Sequence, residues 1–440
     1  MWQQRSPAPP LLLATVLLLA AAEPARSQGS PLWQSNGTVQ NEWRGYHVAP
    51  AGDVDGDGIP DAIVAGRAHP FQPGHVEVLS GATGTALYAF TGGFTSLLYD
   101  LLGTAVGPAG DQDGDGFADF FVAAVNQVTV HSGATGTPLL VVNDGAVPGG
   151  IGASVANVGD VDGDGVPDLL VGSPNASPGG VANAGQASLY SGSTGTLLLT
   201  LVGTSVGEAF GRSVAGLGDV TGDGVPDFVV GGPTGLSSCL PIGPGSAFVF
   251  SGASGALLFS FTGTGANDAF GYPVASAGDV DGDGVADIAV SARQDDCFAF
   301  LGSYVRVFSG ASGAVLLTLP GTSFATAAGG PAVVCAGDLD ADGRADLLVG
   351  DTSATVGGLP FSGRANFFSG TNGAPLGAFS GTDSVGFFGG DVARMGDLNG
   401  DGFDDFAVGS PGVWAGSLAN VGRASTHSFF GVPPGSSVFG

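Results

Sequence analysis

Asp53, Asp55, Asp57 and Asp61 fall within the nine residues "DVDGDGIPD", with no cation beside them. Carboxylates so close repel one another unless something neutralises them. In the spacing D-x-D-x-D-G-x-x-D, the side chains at positions 1, 3, 5 and 9 converge. The main-chain carbonyl of position 7 adds an oxygen, and Gly at position 6 permits the sharp bend. Hard oxygen donors without sulfur or imidazole suit Ca²⁺, which takes six to eight of them. Mg²⁺ prefers a tighter octahedron, and Zn²⁺ lacks its usual partners here.

The stretch occurs seven times, starting at residues 53, 111, 160, 219, 279, 338 and 397, in steps of 58, 49, 59, 60, 59 and 59. Expected ligands in the first bend are Asp53, Asp55, Asp57, Asp61 and the carbonyl of Ile59. The second offers Asp111, Asp113, Asp115, Asp119 and the carbonyl of Phe117, and the third Asp160, Asp162, Asp164, Asp168 and Val166. In the fourth stand Asp219, Thr221, Asp223, Asp227 and Val225, and in the fifth Asp279, Asp281, Asp283, Asp287 and Val285. The sixth has Asp338, Asp340, Asp342, Asp346 and Arg344, and the seventh Asp397, Asn399, Asp401, Asp405 and Phe403. Thr221 and Asn399 keep an oxygen but lose a charge, so weaker binding is expected there. These positions take 26 of the 35 Asp, which argues against a merely solvated acidic surface. Seven Ca²⁺ ions would bring the formal charge from −28 to about −14. An EF-hand is excluded, because it needs Glu at position 12 between helices and the first bend has Val64 there, flanked by strand-like runs.

What positions the bends repeats with them. Gly stands eight residues before each first Asp (45, 103, 152, 211, 271, 330 and 389) and Val five before (48, 106, 155, 214, 274, 333 and 392). After each bend comes a short apolar run such as "LLVG" (169–172), a connector, an alternating segment such as "ASLYSG" (187–192), and a Gly-containing turn. An apolar segment such as "TLLLTLVG" (196–203) ends the unit. Each unit thus reads as four short strands without helical periodicity. The expected fold is all-β, a seven-bladed β-propeller of four-stranded blades. A linear solenoid usually has shorter repeats and needs capped ends. "PLWQSNGT" (31–38) matches a fourth strand without a blade of its own, and the last unit stops after its third strand, "RASTHS" (423–428). An N-terminal strand therefore completes the last blade and removes exposed edges.

The chain has 440 residues, 11 Arg and no Lys, and 39 acidic residues. Nucleic acid is not expected as a partner, because phosphate binding needs basic footprints that this composition lacks. With 43% hydrophobic residues the acidity does not signal disorder. Arg5, the apolar run 11–22 and "ARS" (25–27) read as a secretory signal over 1–27. The propeller spans 28–430 and a tail 431–440. No later run is long and apolar enough for a membrane span, so a secreted, extracellular location (or a periplasmic or cell-surface one) is expected, as a monomer. "NGT" at 36 and "NAS" at 175 would be glycosylation sites only in a eukaryotic secretory pathway. Cys239 and Cys297 occupy corresponding loops of neighbouring units and could pair, while Cys335 reads as a buried small apolar residue. The five His (47, 69, 75, 131 and 427) form no metal spacing; His69 and His75 read as sharing a surface loop.

These units resemble FG-GAP repeats, the unit of the integrin α-subunit N-terminal propeller and of many secreted bacterial proteins. The Phe-Gly motif stands at Phe210-Gly211, Phe270-Gly271 and Phe388-Gly389, and its Gly-x-Pro counterpart at 172–174, 231–233 and 409–411. The resemblance covers about residues 31–430 and implies Ca²⁺ at the Asp positions above. Four units keep the Gly but not the Phe. All seven carry an acidic bend, whereas integrin propellers have calcium loops in only some blades.

In an up-and-down blade the bends and the "SG" turns share one face, and the 2–3 and 4–1 loops share the other. From position 9 to the Ser of the "SG" turn (Ser428 in the last unit) the chain runs 13 to 24 residues, so length variation belongs to that second face. The resemblance implies ligands there. Candidates on it are Phe94, Tyr99, Arg293–Asp296, Asp351 and Trp414. The leading expectation is an adhesion or interaction module for protein or glycan. An enzyme acting on polysaccharide is the alternative; its carboxylates would come from Asp100, Asp268, Asp295, Asp296, Asp351 and Asp383. A structural matrix or surface component is the third.

Overall fold

The computed structural model describes residues 30–66, 73–95, 98–99, 101–124, 126–143, 151–234, 243–265, 268–293, 295–296, 299–300, 303–320 and 332–429. The expected signal segment, the tail, Cys239, Cys297, His69 and Asp100 lie outside them, and the side chains of Phe94, Tyr99, Asp295 and Asp296 are likewise not described.

Seven four-stranded antiparallel sheets form the ring, each in the order expected from one repeat. Blade three is typical, with strands Ser154–Gly159, Asp168–Ser173, Gln186–Tyr190 and Leu197–Val202. Its second strand, "DLLVGS", is buried along its whole length, because it is central in its sheet and covered by blades on both sides. The same holds for the second strand of every blade. That explains continuous apolar runs where an alternating pattern would leave one face wet. One 3₁₀ turn, Pro178–Gly180, is the only helical element among the described residues.

The core divides into seven clusters, one per blade-to-blade contact. Between blades three and four, for instance, Leu170, Leu189 and Phe210 meet Phe228, Val230 and Phe250. The repeated motifs make these contacts. Phe210, Phe270 and Phe388 are buried, and their main chains bridge Gly185, Gly245 and Gly363 of the preceding blade. A Cβ on Gly172 would stand 1.9 Å from the Gly211 carbonyl oxygen, and Gly231 meets Gly271 in the same way. Gly therefore recurs because neighbouring blades touch backbone to backbone.

Closure uses the N-terminal strand. Gln34–Asn36 pairs antiparallel with Arg423–Ser428 and completes the last blade. Trp33 is buried at the junction of blades seven and one, and its indole N–H donates to the Gly81 carbonyl at 3.1 Å. Arg44 takes the position held elsewhere by the motif Phe and bridges Gly422, so the seam repeats the contact made between other blades.

Two smaller expectations are corrected. Cys335 is a free thiol and only half-buried, because its strand (Val333–Gly337) lines the inner edge of a blade rather than its centre. His75 opens a strand (His75–Leu79) and bonds Glu77 at 2.9 Å, so it is not a loop residue.

Candidate functional site

Each acidic bend joins the first two strands of a blade. The residue before it is Gly with positive φ (Gly52 +81°, Gly159 +82°, Gly278 +70°), set at a register shift in the first strand. That bulge turns the chain out of the sheet. Inside the bend the aspartates accept backbone amides in a fixed order. Asp160 Oδ1 accepts Gly163 N at 2.7 Å and Oδ2 accepts Gly165 N at 2.8 Å. Asp162 accepts Asp164 N at 3.2 Å, and Asp164 accepts Val166 N at 2.9 Å. These bonds shape the bend and hold the carboxylates inward.

The ninth position has a different setting. Asp61, Asp119, Asp168, Asp227, Asp287, Asp346 and Asp405 are all fully buried. In blades one to six one oxygen accepts the amide of the second bend residue and the other accepts the Gly amide of the "SG" turn, as Asp287 does with Val280 (2.7 Å) and Gly310 (2.9 Å). This carboxylate ties the two turns of one face together. The last blade has no such Gly; there Ser428 donates to Asp401 at 3.0 Å. Burial pushes the carboxyls of Asp61, Asp287, Asp346 and Asp405 up to about 6, and neighbouring aspartates push the same way, partly offset by the amide donors. Asp119 and Asp168 are raised for the same reason.

Three carboxylates meet with ligand oxygens within 4.8 Å of one another in five bends. The sets are Asp53/Asp55/Asp57, Asp111/Asp113/Asp115, Asp160/Asp162/Asp168, Asp279/Asp281/Asp287 and Asp338/Asp340/Asp346. The other two bends are those with Thr221 and Asn399, where one carboxylate is replaced. The ion pairs of Arg44, Arg394 and Arg423 go to Glu42, Glu77, Asp404 and Asp383, none of them a ligand position. An all-oxygen donor set, with no ion pair to a ligand carboxylate among the described residues and with its ninth carboxylate withdrawn from water, fits a hard divalent ion.

The opposite face holds the loops of varying length. Trp414 is 59% exposed there, whereas Asp351 is buried and accepts Ser353 Oγ at 2.8 Å. Of the carboxylates expected to be free for catalysis, Asp268 accepts the Tyr304 hydroxyl at 2.6 Å and Asp383 pairs with Arg423 at 2.7 Å. Two concavities on this face escaped the sequence reading. One, of about 290 Å³, is the axial funnel where the first strands begin. It holds His47 3.3 Å from Asp391, and Arg212 lies 4.7 Å from the Tyr272 ring centre. The other, of about 260 Å³, lies between blades six and seven and is lined by Ser362, Asp383, Ser410, Arg423, Ser425 and His427, among others. Their signal was faint, because single residues from several repeats build each.

His427 is buried against Phe379 (ring centres 4.9 Å apart) and Phe388 (5.5 Å). Desolvation holds its imidazole down at about 4. Its folded value lies below the unfolded value of about 6.5, so the unfolded chain binds the proton first. Stability is expected to fall as pH drops from about 6.5 towards 4, by roughly 3 kcal/mol from this group. Denaturant titrations of His427→Leu and the parent across that range check it; equal slopes would remove the assignment.

A family model described as FG-GAP repeat matches residues 151–190, 270–317 and 389–421. Integrin alpha-3 of Cricetulus griseus is 34% identical over 172 residues, 35% of this chain and 15% of the relative. Integrin alpha-4 of Xenopus laevis is 36% identical over 105 residues, 23% of this chain and 10% of the relative. The chain thus spans about 15% or less of the length of these relatives. Among solved structures, the crystal structure of BBS1N in complex with ARL6DN, soaked with lead, covers 90% of this chain and 95% of its own, with a TM-score of 0.53 and 10% identity. That likeness is one of fold alone. Repeats, ring and partial sequence similarity agree: the chain is a seven-bladed β-propeller that carries FG-GAP repeats and is similar over part of its length to integrin α subunits.

Proposed function

We propose that the chain is a secreted, calcium-binding adhesion or interaction module that takes an extracellular protein or glycan on its variable-loop face. The observation that carries this reading is the division of labour between the faces. One face repeats an acidic bend seven times with nearly constant geometry, and the other varies in loop length and carries the exposed Trp414. Similarity to integrin α subunits supports the interaction role.

Ca²⁺ would be held by the aspartates at positions 1, 3, 5 and 9, with Thr221 and Asn399 substituting in two bends, and by the position-7 carbonyls. When bound it neutralises the cluster. The chain's own residues do the rest: the ninth Asp anchors bend to turn, and the amide-bonded first Asp sets the curvature. Native mass spectrometry of the exported chain is expected to show up to seven Ca²⁺ per molecule, with two sites lost first on dilution. Ligand capture on extracellular-matrix protein and glycan surfaces is expected to require Ca²⁺. A folded chain devoid of calcium, or capture unchanged in EDTA, would sink the proposal.

A further inference from the structure

The cavity between blades six and seven opens at a turn that lacks an acid carried by three other turns among the described residues. Five residues after the Gly that ends the fourth strand, three repeats carry an acid. Glu42 accepts the amides of Thr38 (2.7 Å) and Val39 (3.1 Å), Glu208 those of Thr204 (2.7 Å) and Ser205 (2.9 Å), and Asp268 those of Thr264 (2.8 Å) and Gly265 (2.7 Å). Each carboxylate fills the angle between that turn and the next blade. In blade six the position is Gly386, so the amides of Thr382 and Asp383 have no such carboxylate, and the vacated space opens as the cavity.

The walls are built for a polar guest. Ser362, Ser410, Ser425 and His427 are all buried, and His427 Nδ1 has no hydrogen-bond partner while Nε2 lies 2.9 Å from Ser425 Oγ. Arg423 also reaches the wall, where its guanidinium pairs with the wall carboxylate of Asp383 at 2.7 Å and its Nε donates to Asn36 Oδ1 at 2.9 Å. Next in sequence to the wall residues Val413 and Ser362 stand the exposed Trp414 and Phe361 (46% exposed). A slot shaped for a carboxylate, a ring of hydroxyls and an exposed indole match an acidic sugar. A guest carboxylate would replace the missing side chain, its hydroxyls would meet Ser410 and Ser425, since Ser362 Oγ already accepts the Val356 amide at 3.1 Å, and its apolar ring face would lie towards Trp414. At about 260 Å³ the cavity takes a single sugar ring.

We propose that this cavity binds one carboxylate-bearing sugar residue of an extracellular glycan. The proposal deepens the variable-face reading and rests on it. The test titrates the full chain, in Ca²⁺, with methyl glucuronide, methyl glucoside and an Asp-containing tripeptide, read by NMR. The glucuronide is expected to bind about tenfold or more tightly than the glucoside, the loss expected for one charge-assisted hydrogen bond. Gly386→Glu is expected to abolish binding by refilling the slot; its Cβ would sit 3.0 Å from the Asp383 carbonyl, so the turn must ease slightly. Trp414→Ala, at an exposed site, tests the rim without burdening the fold and is expected to weaken binding severalfold. Leu197→Ser, on the outer strand of blade three, should leave it unchanged. Equal affinity for glucoside, preference for the tripeptide, or full binding in both cavity variants would overturn the proposal. Ca²⁺-dependent capture of protein or neutral glycan would still stand in those cases, whereas its loss in the parent chain would overturn the underlying reading as well.

Discussion

Removing divalent ions with EDTA is expected to lower the melting temperature by about 10 °C, and Ca²⁺ alone should restore it. The size follows from mass action. At roughly ten times its dissociation constant, an ion that binds only the folded chain adds about 1.4 kcal/mol per site. Seven sites sum to on the order of 10 kcal/mol, as large as a whole domain's stability. A propeller spanning about 400 residues has an unfolding entropy near 0.8 kcal/mol per kelvin, which converts that energy to about 10 °C. The structure explains why the effect should be global. Every bend is tied through its ninth Asp to a buried second strand, and in six blades to the neighbouring turn as well, so metal loss is felt in all seven sheets. Without the ion, burial already drives several of these carboxyls towards protonation. Calorimetric scans in Ca²⁺ and in EDTA that overlay would refute the coupling.

Opening the seam between blades seven and one is expected to be nearly as damaging. Trp33→Ala removes a buried indole, its contact with Leu79 and Leu398, and its bond to Gly81. Large-to-small changes of this kind cost about 3–5 kcal/mol, or about 5 °C here. Deleting residues 30–40 goes further. It strips the partner from Arg423–Ser428 and leaves an unpaired edge strand in an otherwise edge-poor ring. The deletion should melt earlier than Trp33→Ala and form oligomers on size exclusion. A monomeric deletion with the parent's melting temperature would show that the closure carries no stability.

The ring was legible in the sequence because its information is local and repeated. Asp at fixed offsets, Gly before each bend and a fully apolar second strand recur at a near-constant period, and each reflects a constraint within one blade or between adjacent ones. The stray "PLWQSNGT" pointed to closure for the same reason: it matched a missing strand. The ninth Asp was legible as acidic but not as buried, since its second amide donor comes from a turn 20 or so residues onward.

What only the tertiary structure decided is where repeats differ and what that difference faces. Gly386 is one Gly among 81, and its meaning appears only when the turn around it is laid beside those holding Glu42, Glu208 and Asp268. Cavity walls come from two blades and the closing strand, so no single window of sequence contains them. A repeat writes its backbone into sequence through spacing. A recognition site is made by side chains that break that spacing, and their partners are set by packing across the ring.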